Sequence, residues 1–159
     1  MPIKIKIICV GKLKEKYYLA AQQEYQKMLL RFAQTEMIEV ADEPLSNVKS
    51  ETGETAVLAA EAQRILPHLS GHVIVCDLGG EQKTSEEFAA YIKNRMVQGD
   101  SEICFVIGGS IGLSTEIKRM AALRLSVSRM TMPHRLFRIV LVEQIYRAFK
   151  ILNGETYHK

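Results

Sequence analysis

Two short segments carry the residue types that could do chemistry. "FVIGGSIGLS", Phe105 to Ser114, runs from apolar residues into Gly108, Gly109 and Gly112, three glycines within five positions, and then toward a helix start. The spacing matches neither GxGxxG nor GxxxxGK[ST], so a nucleotide phosphate loop is the weakest of three readings. Two others stay open: a structural turn that needs positive φ, and a ligand site at the carboxyl end of parallel strands, where bare backbone can close on a small molecule. The second segment is "SVSRMTMPHRL", Ser126 to Leu136. Pro133 discourages a helical conformation at Met132, which makes the segment a loop between a strand and a helix. It offers backbone donors, the Thr131 hydroxyl, and Met130 and Met132, which could line an adenine-shaped slot or simply fill gaps. His134 at its end is an imidazole whose ordinary pKa lies near neutrality.

Other candidates for chemistry are weaker. His68 and His72 are four apart, but Pro67 and Gly71 put them in a turn rather than on one helical face, so no metal site is expected. Cys9, Cys76 and Cys104 are odd in number, lack a CxxC pair and sit among aliphatic residues, as reduced thiols buried in strands do. Charge is unevenly spread. Residues 1–115 hold 12 Lys and Arg against 15 Asp and Glu, whereas residues 116–159 hold 9 against 3. A basic C-terminal quarter suits a polyanion such as nucleic acid, and a solvated basic face without a partner is the bland alternative.

The elements that position these segments follow from periodicity. With 159 residues, 47% apolar and 25% charged, the chain suits one cytosolic domain. The opening "MPIKIKIICV" alternates lysine and isoleucine, unlike a signal peptide, and no apolar run is long enough for a membrane helix. Strands are expected at Ile3 to Val10, Thr35 to Val40, His72 to Leu78, "EICFVIGG" and Leu123 to Ser128. Helices are expected over Glu15 to Phe32, Glu54 to Leu66, Ser85 to about Gln98 and Leu136 to Leu152, with a loop over Ala41 to Gly53. Alternating strands and helices predict an α/β fold, a mostly parallel sheet with helices on both faces. The last helix carries one apolar stripe of Phe137, Leu141, Ile145, Ala148, Phe149 and Leu152, while Leu136, Ile139, Val140 and Tyr146 lie largely outside it. A helix apolar on two sides must be covered twice, and a homodimer is the expected second cover.

The chain resembles the SPOUT superfamily of knotted RNA methyltransferases, and within it the family that methylates N3 of a pseudouridine in large-subunit ribosomal RNA. The resemblance spans essentially the whole chain: "VGKLKEKY", "VIVCDL", "FVIGGSIGLS", "SRMTMPHRLFRIVLVEQIYRA" and a tail ending "YHK". It implies a C-terminal trefoil knot, S-adenosylmethionine (SAM) bound in that knot, and a homodimer whose sites use both subunits. Carried over by position, the family's cofactor contacts fall on Cys76, Gly108, Val127, Ser128, Arg129, Met130, Thr131 and Met132. Cys76 departs from the leucine common at its position, and Ser110-Ile111 is a variable pair in the family.

On that resemblance, the N3 proton of a uracil-type ring must leave before or during methyl transfer, so a base or relay is required. His134 is one candidate, and Tyr157 and His158, on a tail that could cross to a partner's pocket, are others. Arg135, Arg138, Arg147 and Lys150 are expected to hold RNA phosphates, with Arg129 as a stabiliser of charge on the base. For Arg138 and Arg147, ion pairs with Glu143 across a subunit interface are the competing role. With 7% aromatics and no appended RNA-binding module, the chain is suited to a preformed surface such as the assembled ribosome. Two rival readings are a ribosome-binding assembly factor without turnover and a generic nucleotide-binding enzyme.

Overall fold

The computed structural model describes residues 2–45 and 48–157. The elements alternate as β1 (Ile3–Val10), α1 (Lys16–Leu29), β2 (Ala33–Val40), α2 (Glu51–Ile65), β3 (His72–Gln82), α3 (Ser85–Val97), β4 (Glu102–Ile107), α4 (Thr115–Met120), β5 (Leu123–Ser126) and α5 (His134–Leu152), with a short 3-10 turn at Leu66–His68. The sheet has five strands in the order β2-β1-β4-β3-β5, all parallel. An all-parallel sheet needs cover on both faces. Here α1, α3 and α5 pack one face through Leu29, Phe88, Ile92, Leu141, Ile145 and Phe149. The other face is closed by α2 and α4, through Ala62, Ile65 and Ile117.

Local chemistry accounts for most element ends. α3 starts with a reciprocal capping box, in which Thr84 Oγ1 accepts from the Glu87 N–H and Glu87 accepts from the Thr84 N–H. Ser114 caps α4 with a single bond, its Oγ accepting from the Ile117 N–H. α2 begins three residues earlier than its apolar pattern indicates because Ser50 caps it, accepting from the Gly53 N–H at 3.2 Å. Strand β3 runs four residues past the expected Leu78, with its register against β5 shifting between Cys76 and Glu81. The bulge depends on Gly80, where a Cβ would lie 2.6 Å from the Arg124 carbonyl oxygen. Strand β5 is shorter than expected and ends at Ser126, because Ser126 Oγ turns to donate to the Ser128 carbonyl.

Helix α5 departs from its predicted stripe at two residues. Tyr146, expected outside it, is buried in the same chain, with its ring 6.2 Å from Phe32 and 5.1 Å from Tyr157. Arg138, expected to face phosphate, is 2% exposed, so that role is withdrawn. Leu136 stays exposed, and Ile139 and Val140 are half-buried. Among the described residues no helix is long and apolar enough to cross a membrane, and no cluster of three or more His, Cys, Asp or Glu could hold a metal ion.

Candidate active site

The carboxyl ends of β3, β4 and β5 converge on one cavity of about 400 Å3. Its walls are the two segments singled out in the sequence, residues 107–113 and most of 125–132, closed by Cys76 to Leu78 on one side and by His134 and Phe137 on the other. The volume lies in the range of small-molecule and cofactor sites. Cys76, Gly108, Val127, Ser128, Met130, Thr131 and Met132 all line it; Arg129 does not, and its side chain is exposed.

The glycine-rich segment folds back on itself. The Gly112 N–H donates to the Gly109 carbonyl at 3.1 Å, and Gly112 has φ +88°, which places a tight turn over Ser110 and Ile111. A Cβ on Gly108 would lie 2.4 Å from the Gly112 carbonyl oxygen. The bare backbone at Gly108 is therefore filled by its own chain. Glycine is required there to let the wall close, and the ligand space is what the closed wall encloses. The glycine segment is a structural turn, and that turn is also a wall of the cavity.

The opposite wall is held by serines. Ser126 Oγ donates to the Ser128 carbonyl at 3.1 Å, and Ser128 Oγ accepts from the Met130 N–H at 3.0 Å. These bonds fix the loop without using the amides of Thr131 and Met132 in those turns. Sequence reasoning missed two charged lining groups, Asp77 and Lys118, which approach each other to 3.5 Å. Their signal was position alone, since Asp77 follows Cys76 at the carboxyl end of a parallel strand.

His134 opens α5 directly against the turn after β1. A Cβ on Gly11, whose φ is +98°, would lie 3.6 Å from His134 Nε2. Burial holds the imidazole pKa below its usual value, helped by the neighbouring Arg135 and Arg138 guanidiniums. A neutral ring at physiological pH can accept a proton or a hydrogen bond. The first turns of α5 are anchored to the same region: Arg135 pairs with Glu15 at 2.7 Å, and Arg138 reaches Glu39 at 2.6 Å and the Gly11 carbonyl at 3.2 Å.

The remaining predicted residues lie elsewhere. Helix α5 has 19 residues, so it is about 28 Å long. Arg147 and Lys150 lie at its far end, and Tyr157 lies beyond it. Arg147 bonds Glu143 one turn away in the same chain and stacks on the Tyr157 ring, so its pair with Glu143 needs no partner subunit. Lys150 pairs with Glu155 at 3.1 Å. The Tyr157 hydroxyl donates to Glu143 at 3.2 Å; burial, and then the Glu143 charge, push its pKa up to about 12. It is a donor at neutral pH and does not reach the cavity of its own chain. His158 lies outside the described residues.

One acidic group stands behind the glycine turn. Glu61 of α2 is 5% exposed. Its Oε2 accepts from the Glu43 N–H, while Oε1 is buried without a partner, and both oxygens lie 3.6 Å from where a Gly109 Cβ would be. Burial raises its pKa, with Asp42 adding to the effect.

Comparison with known proteins places this architecture. A family model described as "Predicted SPOUT methyltransferase" matches residues 3–158. A relative from Ruminiclostridium cellulolyticum named ribosomal RNA large subunit methyltransferase H is 49% identical over 159 residues, covering 99% of this chain and 100% of its own. One of the same name from Streptococcus uberis is 48% identical over the same span. Among solved structures, a protein from Bordetella pertussis described as a "Probable Methyltransferase" superposes with TM-score 0.57 at 10% identity, over 92% of this chain and 96% of that one. A Legionella pneumophila protein solved with the cofactor SAM bound gives TM-score 0.50 at 13% identity, over 93% and 67% of the two chains. At such identities the structural likeness concerns the fold.

Proposed function

The chain belongs to the SPOUT methyltransferase family, and on that premise we propose that it methylates N3 of a pseudouridine in large-subunit ribosomal RNA, on the assembled ribosome and as a homodimer. It is a SAM-dependent methyltransferase. The observation that carries the site assignment is the meeting of residues 107–113 and 125–132 around one cavity at the carboxyl ends of the strands. Relatives of nearly half-identical sequence are named for large-subunit ribosomal RNA, which supports the substrate class. The trefoil knot and the cytoplasmic setting belong to the same reading.

The residues present fit SAM. The wall offers backbone amides at 131–132, apolar surface from Met130 and Met132, and the Asp77 carboxylate. When bound, SAM supplies an activated methyl on a sulfonium. The chain's task is then to orient the acceptor nitrogen in line with that methyl, keep water out and take up the N3 proton. His134, neutral and at the cavity wall, is suited to receive the proton at Nδ1 or Nε2. Tyr157, protonated at neutral pH, is suited to donate a hydrogen bond to a base in a partner's site rather than to act as the base. His158 keeps its proposed role on the same tail. Arg135, Arg147 and Lys150 stay proposed phosphate contacts; each already has a carboxylate partner that RNA would have to displace or share.

Purified protein incubated with labelled SAM and ribosomes should place label on one nucleoside of the large-subunit RNA. A missing modified nucleoside in cells lacking the gene should be restored by it. Specific ribosome binding with no methyl incorporation would favour the assembly-factor reading.

A further inference from the structure

The proposed phosphate contacts on α5 are largely engaged by carboxylates, which raises the question of where unpaired positive charge lies near His134. The segment Gly11 to Glu15, "GKLKE", supplies it. Its ends and middle are all pinned. The Gly11 N–H donates to the Val40 carbonyl at 2.8 Å, and the Gly11 carbonyl accepts from Arg138 at 3.2 Å. Leu13 is buried, and its N–H donates to Glu39 at 3.0 Å. Glu15 holds Arg135 at 2.7 Å. With Leu13 turned inward, the flanking Lys12 and Lys14 are both exposed, and neither makes a salt bridge among the described residues.

We infer that Lys12 and Lys14 form an RNA-backbone contact of the active site, a fixed basic finger beside His134 that grips phosphates flanking the target base. A Cβ on Gly11 would lie 3.6 Å from His134 Nε2, and Lys12 is one residue further, about 3.8 Å along the chain. Two residues apart in the irregular segment between β1 and α1, the lysines have backbones at most roughly 7 Å apart, enough for their long side chains to serve separate phosphates. The segment is already ordered by these four hydrogen bonds and pairs, so little conformational entropy is lost when RNA binds. The nearby carboxylates offset it only in part: Glu15 is committed to Arg135, and Glu39, whose charge Lys12 also feels, to Arg138 and the Leu13 N–H. This inference rests on the ribosomal RNA reading above.

The test is the double variant Lys12→Gln, Lys14→Gln, compared with Lys12→Arg, Lys14→Arg, with two separate readouts. Ribosome binding is measured by sedimentation at several salt concentrations, and methyl incorporation on the same particles. The glutamine variant should bind at least about tenfold more weakly, with a log–log salt slope smaller by roughly 1.5. Its SAM affinity by calorimetry should be unchanged, and the arginine variant should bind like the parent. Unchanged affinity and salt slope in the glutamine variant would overturn the inference, as would a parent protein that does not bind ribosomes. Failure of the ribosomal methylation reading would show separately, as a parent protein that binds ribosomes without methylating them.

Discussion

Arg138 of α5 is fully enclosed and bonds Glu39, at the end of β2, at 2.6 Å, although 99 residues separate the two in sequence. Its second terminal nitrogen donates to the Gly11 carbonyl at 3.2 Å. One guanidinium thus ties the start of the final helix to the ends of two strands and fixes where His134 stands. Arginine's planar fork can serve both acceptors at once, which a lysine ammonium cannot do in this geometry.

Replacing Arg138 with alanine should therefore cost about 2–3 kcal/mol. That is below the ~3–5 kcal/mol of a fully buried broken pair, because the Glu39 side chain keeps 35% of its exposure. Thermal unfolding checks the stability loss. Lysine at this position should recover only part of it.

His134→Ala should lower turnover on ribosomes by about 10²-fold or more, the usual contribution of a positioned acid or base. SAM affinity should change little. Because burial lowers the His134 pKa, the acid limb of kcat/KM should fall below pH 6.5, the ordinary histidine value. Unchanged turnover would remove His134 from the mechanism.

Gly108→Ala puts a methyl 2.4 Å from the Gly112 carbonyl oxygen, so the wall must open. SAM affinity should drop at least about tenfold by calorimetry, equivalent to about 1.4 kcal/mol. Gly112→Ala has open space but a φ of +88°, so it should cost about 1–2 kcal/mol of backbone strain and perturb binding less.

Glu61→Gln should stabilise the protein at pH 8 and not at pH 4. The folded-state pKa of Glu61 is raised by burial, so its stabilising contribution is complete below the usual carboxylate pKa and is lost as pH rises through the folded value. Glutamine keeps an acceptor for the Glu43 N–H without the buried charge. A Tm gain of about 2–4 °C at pH 8, shrinking at low pH, is the expected reading.

Much of this protein is set by short-range pattern. Period-two and helical spacing locate the five strands and the four longer helices to within a few residues, because a strand buried on both faces and an amphipathic helix each leave a local signature. The two segments that wall the cavity were also legible, since glycines and Pro133 mark departures from regular structure. Pairings between distant residues were not. Whether Arg138 meets phosphate or Glu39, whether Tyr146 faces a neighbour or Phe32, and whether the space at Gly108 is filled by ligand or by Gly112 depend on strand order and on the crossing of α5 over the sheet. Those are contacts between residues far apart along the chain. Residue type supplies the capacity for such a contact, but only the packed sheet and helices decide which partner takes it.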